Sequence, residues 1–207
     1  MDAAVALGVD AIGFVFYPRS PRLLTFDEAA SLRRRLPSWV SAVGLFVNAD
    51  AAHIMQASRT VGLDVIQFHG DETPQQCAAS APGMAWWRAV RMRSERDLIE
   101  SFDAFPHAEA LLVDSFHSGY GGSGQSFDWS WVPSSRPRPL ILSGGLDAAS
   151  VGQAIARVAP FAVDVSSGIQ AGDARMKDTS KMEAFVAAVI KADAARSHSN
   201  QTSQNHP

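Results

Sequence analysis

Short apolar runs recur along the chain, with amphipathic stretches between them. Seven of these runs read as strands: residues 11–16, 42–47, 65–68, 85–90, 110–113, 140–142 and 162–165. Several are apolar at nearly every position, which is the pattern of parallel strands buried on both faces. Helix signals separate most of them. Thr25-Phe26-Asp27-Glu28 is a capping box opening a helix to Leu36. Asp50, Ser94 and Asp147 are N-cap residues for three more, the last over 148–158. Near the C-terminus, residues 180–192 carry Met182, Phe185, Val186, Val189 and Ile190 at i, i+3, i+4, i+7 and i+8, one face of a helix. From Ala194 the chain turns polar, so 1–193 is expected to form the domain and 194–207 a disordered tail.

Strands alternating with helices leave two architectures, a doubly wound open sheet or a barrel. The start of the chain separates them. Residues 1–7 have a helical pattern, and Gly8-Val9-Asp10 turns it into the first visible strand. A helix that feeds a parallel strand normally follows an earlier strand. The fold class expected is therefore α/β, a (β/α)₈ TIM barrel whose first β-strand is missing from this chain.

Composition narrows the function. At 207 residues and 46% hydrophobic content, the chain suits one domain with a large core. A net charge of −3 gives no footprint for nucleic acid or an anionic membrane, and Arg33-Arg34-Arg35 reads as a solvated helix face. No apolar run approaches a membrane span, and the N-terminus lacks the pattern of a signal peptide. One cysteine excludes an intrachain disulfide framework and suits a cytoplasmic location. Asn200-Gln201-Thr202 matches a glycosylation sequon within the polar tail and reads as chance.

The chemistry is concentrated where the strands end. LILSGGL (140–146) and FAVDVSSGI (161–169) both stop at glycine and hydroxyl residues. Two adjacent parallel strands ending this way can aim several backbone N–H groups at one point, and glycine permits close approach. Gly144, Gly145, Ser166, Ser167 and Gly168 are the candidate phosphate cradle; each segment alone could equally be a tight strand-to-helix turn. Asp114 ends the strand Leu111-Leu112-Val113 and reads as a general acid at a barrel mouth or as a loop carboxylate. Asp164 could contact substrate hydroxyls. Gln67 and His69 either line the site or belong to an interior network. Arg22 and Arg19 lie in a loop stiffened by Pro18 and Pro21, where a guanidinium could grip a carboxylate. The segment 119–124 is glycine-rich enough for a flap but lacks the Lys-Ser/Thr of a P-loop. Cys77 lies in a helical pattern and is assigned no role in catalysis.

Five blocks give the chain a resemblance to a known family. They are DAIGFVFYPRSPR (10–22), VGLFVN (43–48), VIQFHGDE (65–72), LLVDSF…YGGSGQSFDW (111–129), and LSGGL together with FAVDVSSG. In this order the chain resembles phosphoribosylanthranilate isomerase, over about residues 1–190. The resemblance implies a (β/α)₈ barrel that converts N-(5-phosphoribosyl)anthranilate to 1-(2-carboxyphenylamino)-1-deoxyribulose 5-phosphate in tryptophan biosynthesis. It implies a small-molecule phosphoribosyl substrate, with no cofactor and no metal. Oligomeric state, monomer or homodimer, is left open. By resemblance Asp114 is the general acid and Arg22 the carboxylate-binding arginine.

One element of the family pattern is not found. The family's general base is a cysteine on the first strand, in a motif near K-I-C-G, and no such segment occurs here. Losing a general base costs on the order of 10² to 10⁴ in rate. The expectation is that Met1 is an internal or misassigned start, with roughly fifteen further residues, a strand and a short loop, before it. Two other readings remain: a non-catalytic remnant that binds sugar phosphates, and another phosphate-binding barrel enzyme.

Overall fold

The protein was analysed as a computed structural model, which describes residues 1–116 and 126–204, with side chains through residue 197. The expected flap at 119–124 lies outside the described residues. Seven strands form one sheet in strictly sequential order: β1 (Ala11–Val15), β2 (Ser41–Phe46), β3 (Val65–Phe68), β4 (Ala85–Met92), β5 (Ala110–Ser115), β6 (Leu140–Leu142) and β7 (Ala162–Val163). Every neighbouring pair is parallel. All seven apolar runs are strands, with ends shifted by up to two residues. The run at 162–165 shortens most, because β7 has a ladder partner on one side only, and its pairing ends at Leu142↔Val163.

Helices occupy the connections: α1 (Asp2–Ala6), α2 (Phe26–Arg33), α3 (Ala51–Val61), α4 (Pro74–Ser80), α5 (Glu95–Ala104), α6 (Val151–Val158) and α7 (Thr179–Gln204). Their starts follow local chemistry. The Thr25 hydroxyl accepts from Glu28 N, and Glu28 in return accepts from Thr25 N at 2.8 Å. Asp50 accepts from His53 N at 2.7 Å. Asp147 caps a turn rather than the helix itself: it accepts from Ala149 N and Ser150 N, and α6 begins at Val151. The helix expected to start at 148 therefore starts one turn later. At the other end α7 continues past Ala194, through Gln204. The residues there include Ala, Arg, Gln and Ser, none of which breaks a helix.

Burial grades across the sheet. Every residue of β3 and β5 is buried, whereas Gly13 of β1 and Ala162 of β7 are exposed. Among the described residues β1 has a ladder only with β2, beside one isolated parallel bridge from Val15 to Leu23, and β7 has a ladder only with β6. These two edges nevertheless lie close together, because β1, β7 and the first turn of the chain line one apolar groove of about 370 Å³. A flat sheet of seven strands would set them roughly 29 Å apart at about 4.8 Å per strand. The sheet is therefore strongly curved, an open barrel-like wall. Ala89, Ala110, Leu112 and Ile141, with Trp87 against them, form a separate interior cluster, and the larger core packs the helices onto the outside.

Candidate active site

Curvature brings the carboxyl ends of six strands to one pocket. Its lining includes Val15, Tyr17 and Arg22 after β1, Leu45 of β2, Gln67 and His69 at β3, Asp114 of β5, residues 143–146 after β6 and residues 164–167 after β7. Nine of the ten residues expected at the site are in this lining. The tenth, Gly168, stands directly behind it. A Cβ on Gly168 would lie 2.0 Å from the carbonyl oxygen of Leu146, so the two Gly/Ser loops touch here through backbone alone. Gly144 is constrained twice: its φ is +86°, and a Cβ would meet Ser115 N at 2.7 Å.

Asp114 is 8% exposed. One carboxylate oxygen accepts from its neighbour Ser115 N at 2.8 Å, and the other faces His69 Nε2 at 3.3 Å. On the opposite side of the ring, Gln67 Oε1 stands 3.3 Å from His69 Nδ1. Both ring nitrogens thus meet an oxygen, which fixes the imidazole and, through it, one face of Asp114. The loop that carries His69 is braced from below by Glu72. That buried carboxylate accepts from Asn48 N and Gly70 N and pairs with Arg88 at 2.7 Å.

Asp164 differs from Asp114. As a residue it is exposed, since it sits on the unpaired edge, yet its carboxyl is turned into protein and accepts from Ser143 Oγ at 2.9 Å. Protein packed around that group raises its pKa above the ordinary value, and the nearby Asp114 adds to the rise. Cys77 is fully buried in α4, and burial pushes its thiol up to about 12. It does not line the pocket, in agreement with its exclusion from catalysis.

Two residues that hold the lining from behind carry no sequence signal. Lys177 lies eleven positions beyond Ser166 in an irregular stretch, and its Nζ donates to Ser166 O at 2.7 Å. Gln170 accepts from Arg22 Nη2 at 2.9 Å across 148 positions of sequence. An isolated antiparallel bridge, Gln170↔Lys177, folds this stretch back onto the site. No periodicity marks such a turn.

Lys177 makes a pH prediction. Burial, with Arg22 beside it, lowers its pKa from 10.5 to about 8. Between those values the unfolded chain binds the proton that the folded chain releases, so this group adds stability as pH rises from about 8 to 10.5. Urea unfolding at roughly pH 7.5 and roughly pH 9.5, one below that window and one within it, should show a larger gain for the wild type than for Lys177→Met. An equal or opposite change would mean that the ammonium is not desolvated.

The fold and the pocket define the class: a sequentially wound parallel α/β protein in which an aspartate, an arginine and two Gly/Ser loops meet at the carboxyl ends of the strands. The chain belongs to the N-(5'-phosphoribosyl)anthranilate (PRA) isomerase family, whose model matches residues 1–188. It is 51% identical to the N-(5'-phosphoribosyl)anthranilate isomerase of Ralstonia nicotianae, covering 94% of this chain and 89% of that one. The Dechloromonas aromatica enzyme of the same name is 50% identical, with 93% and 91% covered. Among solved structures, phosphoribosyl anthranilate isomerase from Thermotoga maritima superposes with a TM-score of 0.83 at 38% identity, covering 90% of each chain. A phosphoribosyl anthranilate isomerase in complex with reduced 1-(o-carboxyphenylamino)-1-deoxyribulose 5-phosphate gives a TM-score of 0.79 at 35% identity, with 89% of each chain covered.

Proposed function

We propose that this pocket performs the Amadori rearrangement of N-(5-phosphoribosyl)anthranilate to 1-(2-carboxyphenylamino)-1-deoxyribulose 5-phosphate, in tryptophan biosynthesis. The observation that carries the reading is the convergence of Arg22, Asp114 and both Gly/Ser loops on one pocket from different strand ends. Backbone N–H groups of residues 144–145 and 166–168 hold the phosphate. Arg22 takes the anthranilate carboxylate; its Nε is buried and has no partner among the described residues, a donor left for a ligand. Asp114 gives a proton to the ribose ring oxygen. The C1′–O bond breaks as the nitrogen lone pair forms the Schiff base. A base then removes the C2′ proton, and the enolamine tautomerises to the ketone.

The base belongs to a strand between β7 and β1, which would close the wall into an eight-stranded (β/α)₈ barrel. Three features support this. Among the described residues both edges lack a second ladder, and they are partly exposed where β3 and β5 are buried throughout. The apolar groove between them holds about 370 Å³, far more than a packed interior leaves empty. It also reaches Trp87 and Ile141 of the interior cluster. The single cysteine and its burial fit a cytoplasmic setting. No helix among the described residues is long and apolar enough to cross a membrane.

Binding tests the site independently of turnover. In calorimetric titration, reduced 1-(o-carboxyphenylamino)-1-deoxyribulose 5-phosphate is expected to bind the chain and to compete with inorganic phosphate. Gly168→Ala must push the two loops apart, and overpacking of this kind costs about 1–3 kcal/mol, or roughly 5- to 150-fold in affinity. A chain that does not bind the analogue, or a Gly168→Ala variant that binds it as well as wild type, would overturn the reading.

A further inference from the structure

The Arg22 guanidinium is held by a single protein acceptor in the described structure. Its Nη2 donates to Gln170 Oε1 at 2.9 Å, and its buried Nε has no partner. A guanidinium only donates, so the amide atom facing it is the oxygen. An arginine side chain is otherwise free to sample many rotamers, and fixing its planar fork costs entropy at the moment a ligand binds.

Gln170 is itself tied down by its backbone. Its N–H donates to Ser167 O at 3.0 Å, within the second Gly/Ser loop. Its carbonyl accepts from Lys181 Nζ at 2.9 Å, at the start of α7. The bonds from Ala171 N to Met176 O and from Asp178 N to Ile169 O close the turn around it. Gln170 therefore joins the second Gly/Ser loop to Arg22. Being neutral, it orients the guanidinium while leaving the positive charge for a ligand.

We propose that Gln170 is a positioning residue that presets the Arg22 fork, at a fixed distance from the second Gly/Ser loop, for the carboxylate of a ligand whose phosphate occupies that loop. This inference rests on the role given to Arg22 above.

The test compares two ligands by calorimetry on the full chain. One is reduced 1-(o-carboxyphenylamino)-1-deoxyribulose 5-phosphate; the other is the same compound without its carboxyl group. Gln170→Ala is expected to weaken the carboxylated ligand by about 5- to 20-fold, as loss of one charge-supporting hydrogen bond does, and the other ligand by less than about twofold. Gln170→Glu keeps an acceptor oxygen at the same reach but adds a negative charge that competes with the ligand carboxylate, and is expected to weaken the carboxylated ligand by about 5-fold or more and the other ligand by less than about twofold. Unchanged affinities in Gln170→Ala, or equal weakening for both ligands, would overturn the proposal. Arg22→Ala separates the two levels. If it loses the preference for the carboxylated ligand while Gln170→Ala keeps it, Arg22 stands and the role of Gln170 falls. If Arg22→Ala keeps the preference as well, the assignment of Arg22 falls and takes Gln170 with it.

Discussion

Extending the chain at its N-terminus by one apolar strand that ends in a cysteine is expected to raise turnover by about 10² to 10⁴-fold, the usual contribution of a placed general base. On the proposed reading the added strand would lie between β7 and β1, parallel to both, over the groove lined by Ala4, Val9, Ala162, Val163 and Met182. Its carboxyl end would open onto the pocket between Val15 and Asp164. That position is three places along the wall from β5, with β6 and β7 between. A thiolate there and Asp114 approach a sugar from different sides, as successive acid and base steps on one ring require. The same extension ending in serine separates structure from chemistry. It should raise the unfolding temperature as much as the cysteine form, because both fill the groove and pair both edges, while leaving turnover near that of the unextended chain. If both extended proteins fold and neither gains stability, the groove is not the seat of a strand. If both gain stability and the cysteine form gains no activity, the base lies elsewhere.

The path from sequence to this site was unevenly marked. Strands β3 and β6 could be read to the residue because β6 is apolar throughout, β3 is apolar but for Gln67, and both are flanked by turn residues. Residues 144, 145 and 166–168 could be read as one cradle because two Gly/Ser segments end neighbouring apolar runs, although each alone could equally be a tight turn. The structure adds the reason they must be small, the contact of Gly168 with Leu146 O. Gln170 and Lys177 could not be read. Their place depends on a backbone turn of irregular sequence, and neither residue type signals what it will face. Asp164 illustrates a third case. Its location at a strand end was legible, but its raised pKa arises from the protein packed around it and from Asp114, against the Ser143 hydrogen bond that lowers it, and these groups converge only through curvature of the sheet. The apolar face of α7 was legible as a face, yet Ile190 on it is 64% exposed. An amphipathic pattern records a surface to be covered, and here that surface borders the open groove.

In the cysteine-extended protein, Asp114→Asn is expected to lower kcat by about 10² to 10⁴ while changing the affinity for the reduced product analogue by less than about threefold. The substitution removes the proton and little else. An asparagine keeps an acceptor for Ser115 N, which Asp114 Oδ1 meets at 2.8 Å, and keeps a polar group 3.3 Å from His69 Nε2. Asp114→Ala is a poorer test for the same reason. It would leave the Ser115 N–H without its carboxylate acceptor in a buried setting, at a cost of about 1–3 kcal/mol in stability, and so mix a folding defect with the loss of an acid. Stability measured beside kcat should therefore order the variants with Asn above Ala, although both lack the acid. If Asp114→Asn still turns over within about tenfold of its parent, the acid is another group. The first candidate is then Asp164, because it lines the same pocket and its surroundings already favour the protonated form. Asp164→Asn in the same background would then show the loss that Asp114→Asn did not. If Asp114 is the acid, Asp164→Asn removes only the acceptor of the Ser143 hydroxyl and should act mainly on binding.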